Sequence, residues 1–177
     1  MTLDLGDTWA TFNDDGTQRL ALGRRWAPGP LILFTGANPS KAGASKNDPT
    51  SLRWIHFGQS WGYGGYIAVN QIPYISPTPR DAQQWLMRRQ FGDATIDRDL
   101  EHNLALISKH AGDCALHVAC WGSIICVDET LIERVIKAIG KPLYCLGINN
   151  DGSPKHPMAR GITRVPDSQQ PILWRTA

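Results

Sequence analysis

With 177 residues the chain is long enough for one domain with a real core, because a domain of roughly 150 residues buries about 70% of the surface its unfolded form exposes. Its net charge of +2 neither demands nor excludes a nucleic-acid partner, and no apolar run approaches the ~20 residues of a membrane span. Asp4 and Asp7 stand where a secretory signal would be basic and then apolar, so a soluble, cytoplasmic, monomeric protein with no membrane partner is expected.

Gln18 to Leu22, ahead of Arg24-Arg25-Trp26, predicts a strand or hairpin leading in. Pro28-Gly29-Pro30 then breaks the chain, and the unalternating apolar run Leu31 to Thr35 suits a strand covered on both faces. Asp48-Pro49 reads as an N-cap followed by proline in the first helical turn; Leu52, Ile55 and Gln59 carry that helix to Trp61-Gly62. Tyr66 to Asn70 is the second strand. Pro73, Pro77 and Pro79 mark a loop, Asp81 to Gln90 a short helix, and Thr95 the cap of a longer helix in which Ile96, Leu100, Leu104 and Ile107 recur every three or four residues. Cys114 to Cys120 is the third strand. Asp128 caps a helix whose Leu131, Ile132, Val135, Ile136 and Ile139 form an apolar stripe stopped by Gly140. Leu143 to Leu146 is the fourth strand, and Ile172 to Trp174 a short edge strand.

Strands separated by helices imply right-handed crossovers, hence an α/β fold: a three-layer α/β/α domain over residues 1–177 with a mainly parallel four-stranded central sheet. Polar segments follow all four strands: Gly36-Ala37-Asn38-Pro39-Ser40, Asn70, Trp121-Gly122-Ser123 and His156-Pro157. Parallel strands open these segments at one edge of the sheet, where open α/β folds bind ligands. Cys114, Cys120, Cys126 and Cys145 show no C-x-x-C spacing and read as core thiols; neither a metal nor any other cofactor is expected. A phosphate-binding footprint requires Lys41, Lys46, Arg53, Lys155, Arg160 and Arg164 to gather at the loop edge.

The segments LILFTGANPS, YIAVNQIPY, CWGS and SPKHPM resemble, in order and in strand context, the motifs of the uracil-DNA glycosylase superfamily. Asn38-Pro39-Ser40, Asp48-Pro49-Thr50, Trp61-Gly62-Tyr63-Gly64, Asn70, Trp121-Gly122 and Gly152 to Pro157 are also similar to an uncharacterised bacterial and phage family known only as a domain of unknown function. The glycosylase resemblance implies a parallel sheet of that type and hydrolysis of the N-glycosidic bond of uracil or a modified pyrimidine, with DNA or a nucleotide as partner. The alternative is a nucleotide-binding module of the same fold that has lost turnover.

Under the resemblance, His156 donates to the departing base, Asn38 orients water where the fast uracil-specific enzymes carry aspartate, and Asp48 is either a helix cap or the missing carboxylate. Asn70 reads the base edge or merely caps a turn, with Gly36 and Ala37 of the first motif beside it. Trp54, Phe57 and Tyr74 are candidates for stacking on an extruded base, or ordinary packing. Ser40, Lys41, Ser123 and Lys155 are candidates for phosphate contacts, and Met158 or Arg160 for a wedge into a duplex, since Met158-Ala159-Arg160 departs from the usual continuation of the second motif.

Overall fold

The computed structural model describes residues 6–40, 42–123 and 129–176. The chain enters as a hairpin, β1 (Asp7–Phe12) and β2 (Arg19–Arg25), and then lays down β3 (Leu31–Gly36), α1 (Pro49–Ser60) and β4 (Gly65–Asn70). Two helices follow, α2 (Pro79–Met87) and α3 (Ala94–Gly112), before β5 (Leu116–Ala119), α4 (Glu129–Ile139), β6 (Leu143–Cys145) and β7 (Ile172–Arg175). Among the described residues, all strands join one seven-stranded sheet in the order β1-β2-β4-β3-β5-β6-β7.

The expected four-stranded parallel sheet is therefore corrected to a larger, mixed one. Pairing is parallel from β4 through β3 and β5 to β6, but β2 runs antiparallel to β4 and β7 antiparallel to β6. The physical reason is chain economy. A hairpin needs no helix to add strands at one edge, and the last segment returns to the other edge without one.

Within the parallel core the path goes outward from β3 to β4, then jumps back across β3 to β5 and on to β6. Right-handed crossovers turn that reversal of direction into a change of face. Accordingly α1 packs Trp54, Ile55 and Phe57 on one face against Ile32, Phe34 and Tyr66. The other face carries α2, α3 and α4, whose Trp85, Leu100, Ile107, Leu131 and Val135 cover Leu33, Ile67 and Val69. The reversal leaves a crevice at the carboxyl ends of β3 and β5.

Local signals set most boundaries. Asp48 accepts from the Ser51 amide while Ser51 Oγ receives the Asp48 amide, a complete capping box with Pro49 just inside it. The cap of α3 is Asp93 rather than Thr95: its carboxylate accepts from both the amide and the hydroxyl of Thr95. Asp128, the expected cap of α4, lies outside the described residues, as does Cys126. Among the described residues, Cys120 and Cys145 are buried free thiols, and no helix is long and apolar enough to cross a membrane.

Candidate functional site

Strand register brings the first two polar segments together, since Gly36 and Asn70 are paired partners at the ends of β3 and β4. A Cβ on Gly36 would lie 2.7 Å from Asn70 Nδ2, so the absence of a side chain there is what lets the asparagine amide lie across the strand end. Antiparallel β2 sets its first residue, Arg19, beside the same point. Arg19 Nη2 donates to Asn70 Oδ1 (3.2 Å) and Nη1 to the Ala42 carbonyl (2.9 Å), with the whole side chain buried. From behind, Asn103 of α3 donates to the Asn70 carbonyl at 2.9 Å. Gly36→Ala is expected to push the Asn70 amide aside and weaken ligand binding by at least about tenfold while the fold survives. Isothermal titration with paired circular dichroism checks this.

The other half of the sheet supplies His156. Gly122, at φ +81, donates its amide to the Pro154 carbonyl (3.0 Å), and a Cβ there would stand 3.1 Å from His156 Cβ, so the loop after β5 packs directly on the loop after β6. Arg53 of α1 holds the far side, donating to the Pro157 and Val165 carbonyls and pairing with Asp167. The Met158 amide donates to His156 Nδ1 at 3.1 Å, which makes Nδ1 the acceptor and leaves the ring proton of the neutral tautomer on Nε2. Burial pushes this imidazole below its ordinary value of 6.5, against the opposing pull of the Asp48 charge.

The sign of the resulting pH dependence follows. Because the folded value is the lower one, the unfolded chain takes up the proton first, so the stability contributed by the neutral ring is complete above pH 6.5 and is lost as pH falls through the folded value. Protonation also places a hydrogen on Nδ1 facing the Met158 amide. Ligand binding is expected to be flat above that pH and to decline on acidification in step with the His156 titration followed by NMR.

Both halves line one cleft of about 560 Å³ at the switch between β3 and β5. Besides Asn70 and His156 it gathers Gly36, Ala37, Asn38, Ser40, Asp48, Trp54 and Ser123. Asn38 spends its amide hydrogens on the Pro39 and Ser76 carbonyls, at 3.2 and 3.0 Å, and so has its oxygen left as an acceptor. Asp48 is heavily engaged: Ser51 binds one oxygen through its amide and hydroxyl, and Ser40 Oγ donates to the other. Burial alone would raise its pKa, but the bonds from Ser40 and Ser51 and the Arg19 charge outweigh it and hold the carboxyl below its usual range. Ser40 therefore has its proton committed, and Ser123 Oγ meets Ser153 Oγ at 3.1 Å.

Trp54 reaches the cleft with one face occupied by Phe34, the rings 5.6 Å apart and nearly parallel. Phe57, three residues on, does not reach it; fully buried, it stacks on Trp61 with the Arg53 guanidinium over its ring. Tyr74 stacks on Trp85 in a neighbouring hollow. Lys155, Met158 and Arg160 also lie outside the cleft lining: the Lys155 stem packs on Gly147, Met158 contributes its backbone, and Arg160 is exposed. Lys41 lies outside the described residues. Of the basic residues named for a phosphate footprint, Lys46, Arg53, Lys155, Arg160 and Arg164 lie outside the cleft lining, and Arg53 is taken up by carbonyls and Asp167.

The cleft residues to which sequence reasoning gave no role are Arg19, Thr50, Ser76, Pro77, Pro79 and Gln83, whereas Trp121 and Gly122 belong to a segment already placed at this edge. Arg19 carried a signal as a charge opening a strand that is otherwise apolar for three residues, and Thr50 as part of the Asp48-Pro49-Thr50 run.

A family model described as Protein of unknown function (DUF1643) matches residues 19–158, and the chain belongs to that family. No curated protein and no solved structure matches it.

Proposed function

We propose that this DUF1643 member is a DNA glycosylase that hydrolyses the N-glycosidic bond of uracil or a modified pyrimidine, in DNA or in a nucleotide. One observation carries the reading: Asn70 and His156, supplied by the two halves of the sheet, line the same cleft, whose volume of about 560 Å³ falls in the roughly 300–1,000 Å³ typical of small-molecule sites. The same reading takes the parallel core as a glycosylase-like sheet to which β1, β2 and β7 are additions.

When the bond from the anomeric carbon to the ring nitrogen breaks, its electron pair leaves with the base and positive charge builds on the sugar. His156 Nε2–H is a donor for the carbonyl oxygen of the base on which the negative charge collects. Asn38 Oδ1 accepts from a water that adds to the anomeric carbon and gives up its proton to solvent, while the ionised Asp48 stabilises the cationic sugar electrostatically. The departing base takes its proton from solvent. Arg160 and the Met158 loop are the contacts available to flanking DNA beyond the cleft.

A second reading is favoured by Asp48 itself. With Ser40 and Ser51 already on both its oxygens, and an amide at Asn38, the cleft offers no free carboxylate among the described residues to take a proton from water. That describes a module of the same fold that binds a nucleotide without turnover. Incubating the wild-type chain with a panel of oligonucleotides containing deoxyuridine or 5-substituted pyrimidines, read by mass spectrometry for free base, separates the two. Released base supports hydrolysis; saturable binding with intact oligonucleotide supports the module; neither overturns both.

A further inference from the structure

We infer that Arg19 is a positioning residue that locks the Asn70 amide in one orientation and thereby makes the cleft select bases bearing a ring carbonyl over those bearing an amino group at the same position. The inference rests on the reading of the cleft as a base site. An asparagine amide is ambivalent: either end could face the ligand, and the two orientations recognise opposite partners. Here the choice is forced. Arg19 has only hydrogens to offer, is buried, and stands 3.2 Å from Asn70 Oδ1; turning the amide over would set Nδ2 against the guanidinium, donor to donor.

Burial pushes the Arg19 guanidinium down to about 10, with the nearby Asp48 charge working against the shift, so it remains a cation at neutral pH. Asn70 Nδ2 is left over Gly36 with no acceptor among the described residues, and it borders the cleft. His156 contributes a second N–H from the other side. A carbonyl oxygen satisfies the Asn70 donor, whereas an exocyclic amine would leave two donors facing each other.

The test uses two matched pairs that exchange this carbonyl for an amine, and with it the proton on the adjacent ring nitrogen: deoxyuridine against deoxycytidine, and deoxyinosine against deoxyadenosine. Binding to the intact protein is measured by titration calorimetry. Wild type is expected to prefer the carbonyl member of whichever pair it binds by roughly tenfold or more. In Arg19→Met the carbonyl member should weaken and the ratio fall towards one, while a purely structural role for Arg19 would weaken both members alike and leave the ratio unchanged. A wild type with no carbonyl preference overturns the inference even if the variant fails to fold. If only the purine pair binds, pyrimidine recognition fails while carbonyl selection is still judged.

If none of the four binds, the base-site reading fails, and the lock is decided without ligand by Asn70→Asp in both backgrounds. Beside Arg19 the new carboxylate gains a cationic partner; with the guanidinium removed by Arg19→Met it is buried alone. A much larger drop in melting temperature in the Arg19→Met background sustains the lock, and equal drops overturn it.

Discussion

Replacing His156 with alanine is expected to cut base release about 10²–10³-fold while the folded variant still binds the oligonucleotide. The structure argues for this size because the imidazole is a preorganised donor: its tautomer is set by the Met158 amide, it is kept neutral by burial, and the Gly122 loop packs against its Cβ. A donor whose orientation is already fixed stabilises a developing anion without reorganising. His156→Gln, which also carries an N–H donor but not a ring fixed through Nδ1 and backed at its Cβ, should recover only part of the loss. Single-turnover rates with excess enzyme isolate the bond-breaking step. A variant that releases base at the wild-type rate would show that the leaving group draws its stabilisation from elsewhere.

Arg24→Met is expected to destabilise the fold by roughly 3–5 kcal/mol, and so to lower the melting temperature by about 10 °C. Arg24 is almost completely buried and has no carboxylate partner among the described residues. It donates instead to Asn47 Oδ1 at 2.9 Å and to the Gly23 and Gly43 carbonyls at 2.8 and 2.6 Å. Methionine preserves the stem and leaves the buried Gly23 carbonyl and the half-buried Gly43 and Asn47 acceptors without their donor. Gly43 and Asn47 lie just ahead of Asp48, so the same change should loosen the cleft wall carrying that carboxylate and reduce ligand affinity. Arg25→Met, on the exposed neighbour, should fall within about 0.5 kcal/mol of wild type. Chemical denaturation of both variants gives the comparison, and a loss below about 1 kcal/mol for Arg24→Met would mean that water replaces the guanidinium at little cost.

The parts of the molecule that could be read in advance are those whose causes are local. Asp48-Pro49 signals the start of α1 through contacts within four residues, and the run Leu31 to Thr35 needs no partner to be recognised as a doubly covered strand. The strand ends, and with them Gly36, Asn38, Asn70 and His156, could be placed at one rim for the same reason. What escaped depends on residues distant in the chain. Arg19 becomes a cleft residue only because β2 lies antiparallel beside β4, a pairing that nothing in Arg19–Arg25 specifies. Trp54 and Phe57 share a helix and a chemistry; they part because Gly36 leaves open space near one, while Trp61 and Arg53 close over the other. Even the cap of α3 turned on a competition two residues apart, in which the carboxylate of Asp93 accepts from Thr95.

The region matched by the family ends at Met158, yet several fastenings of the cleft come from beyond it. Arg53 grips Val165 and Asp167, Trp61 Nε1 donates to the Gln169 carbonyl at 2.9 Å, and Trp174 sets its ring edge-on to Trp121. A clone trimmed to the family boundary would thus strip α1 of its tether and uncover an indole beside the cleft. Such a shortened protein is expected to become protease-sensitive around the His156 loop and to clump at concentrations where the 177-residue chain stays dispersed, so recombinant work on this chain is best begun with its last nineteen residues in place.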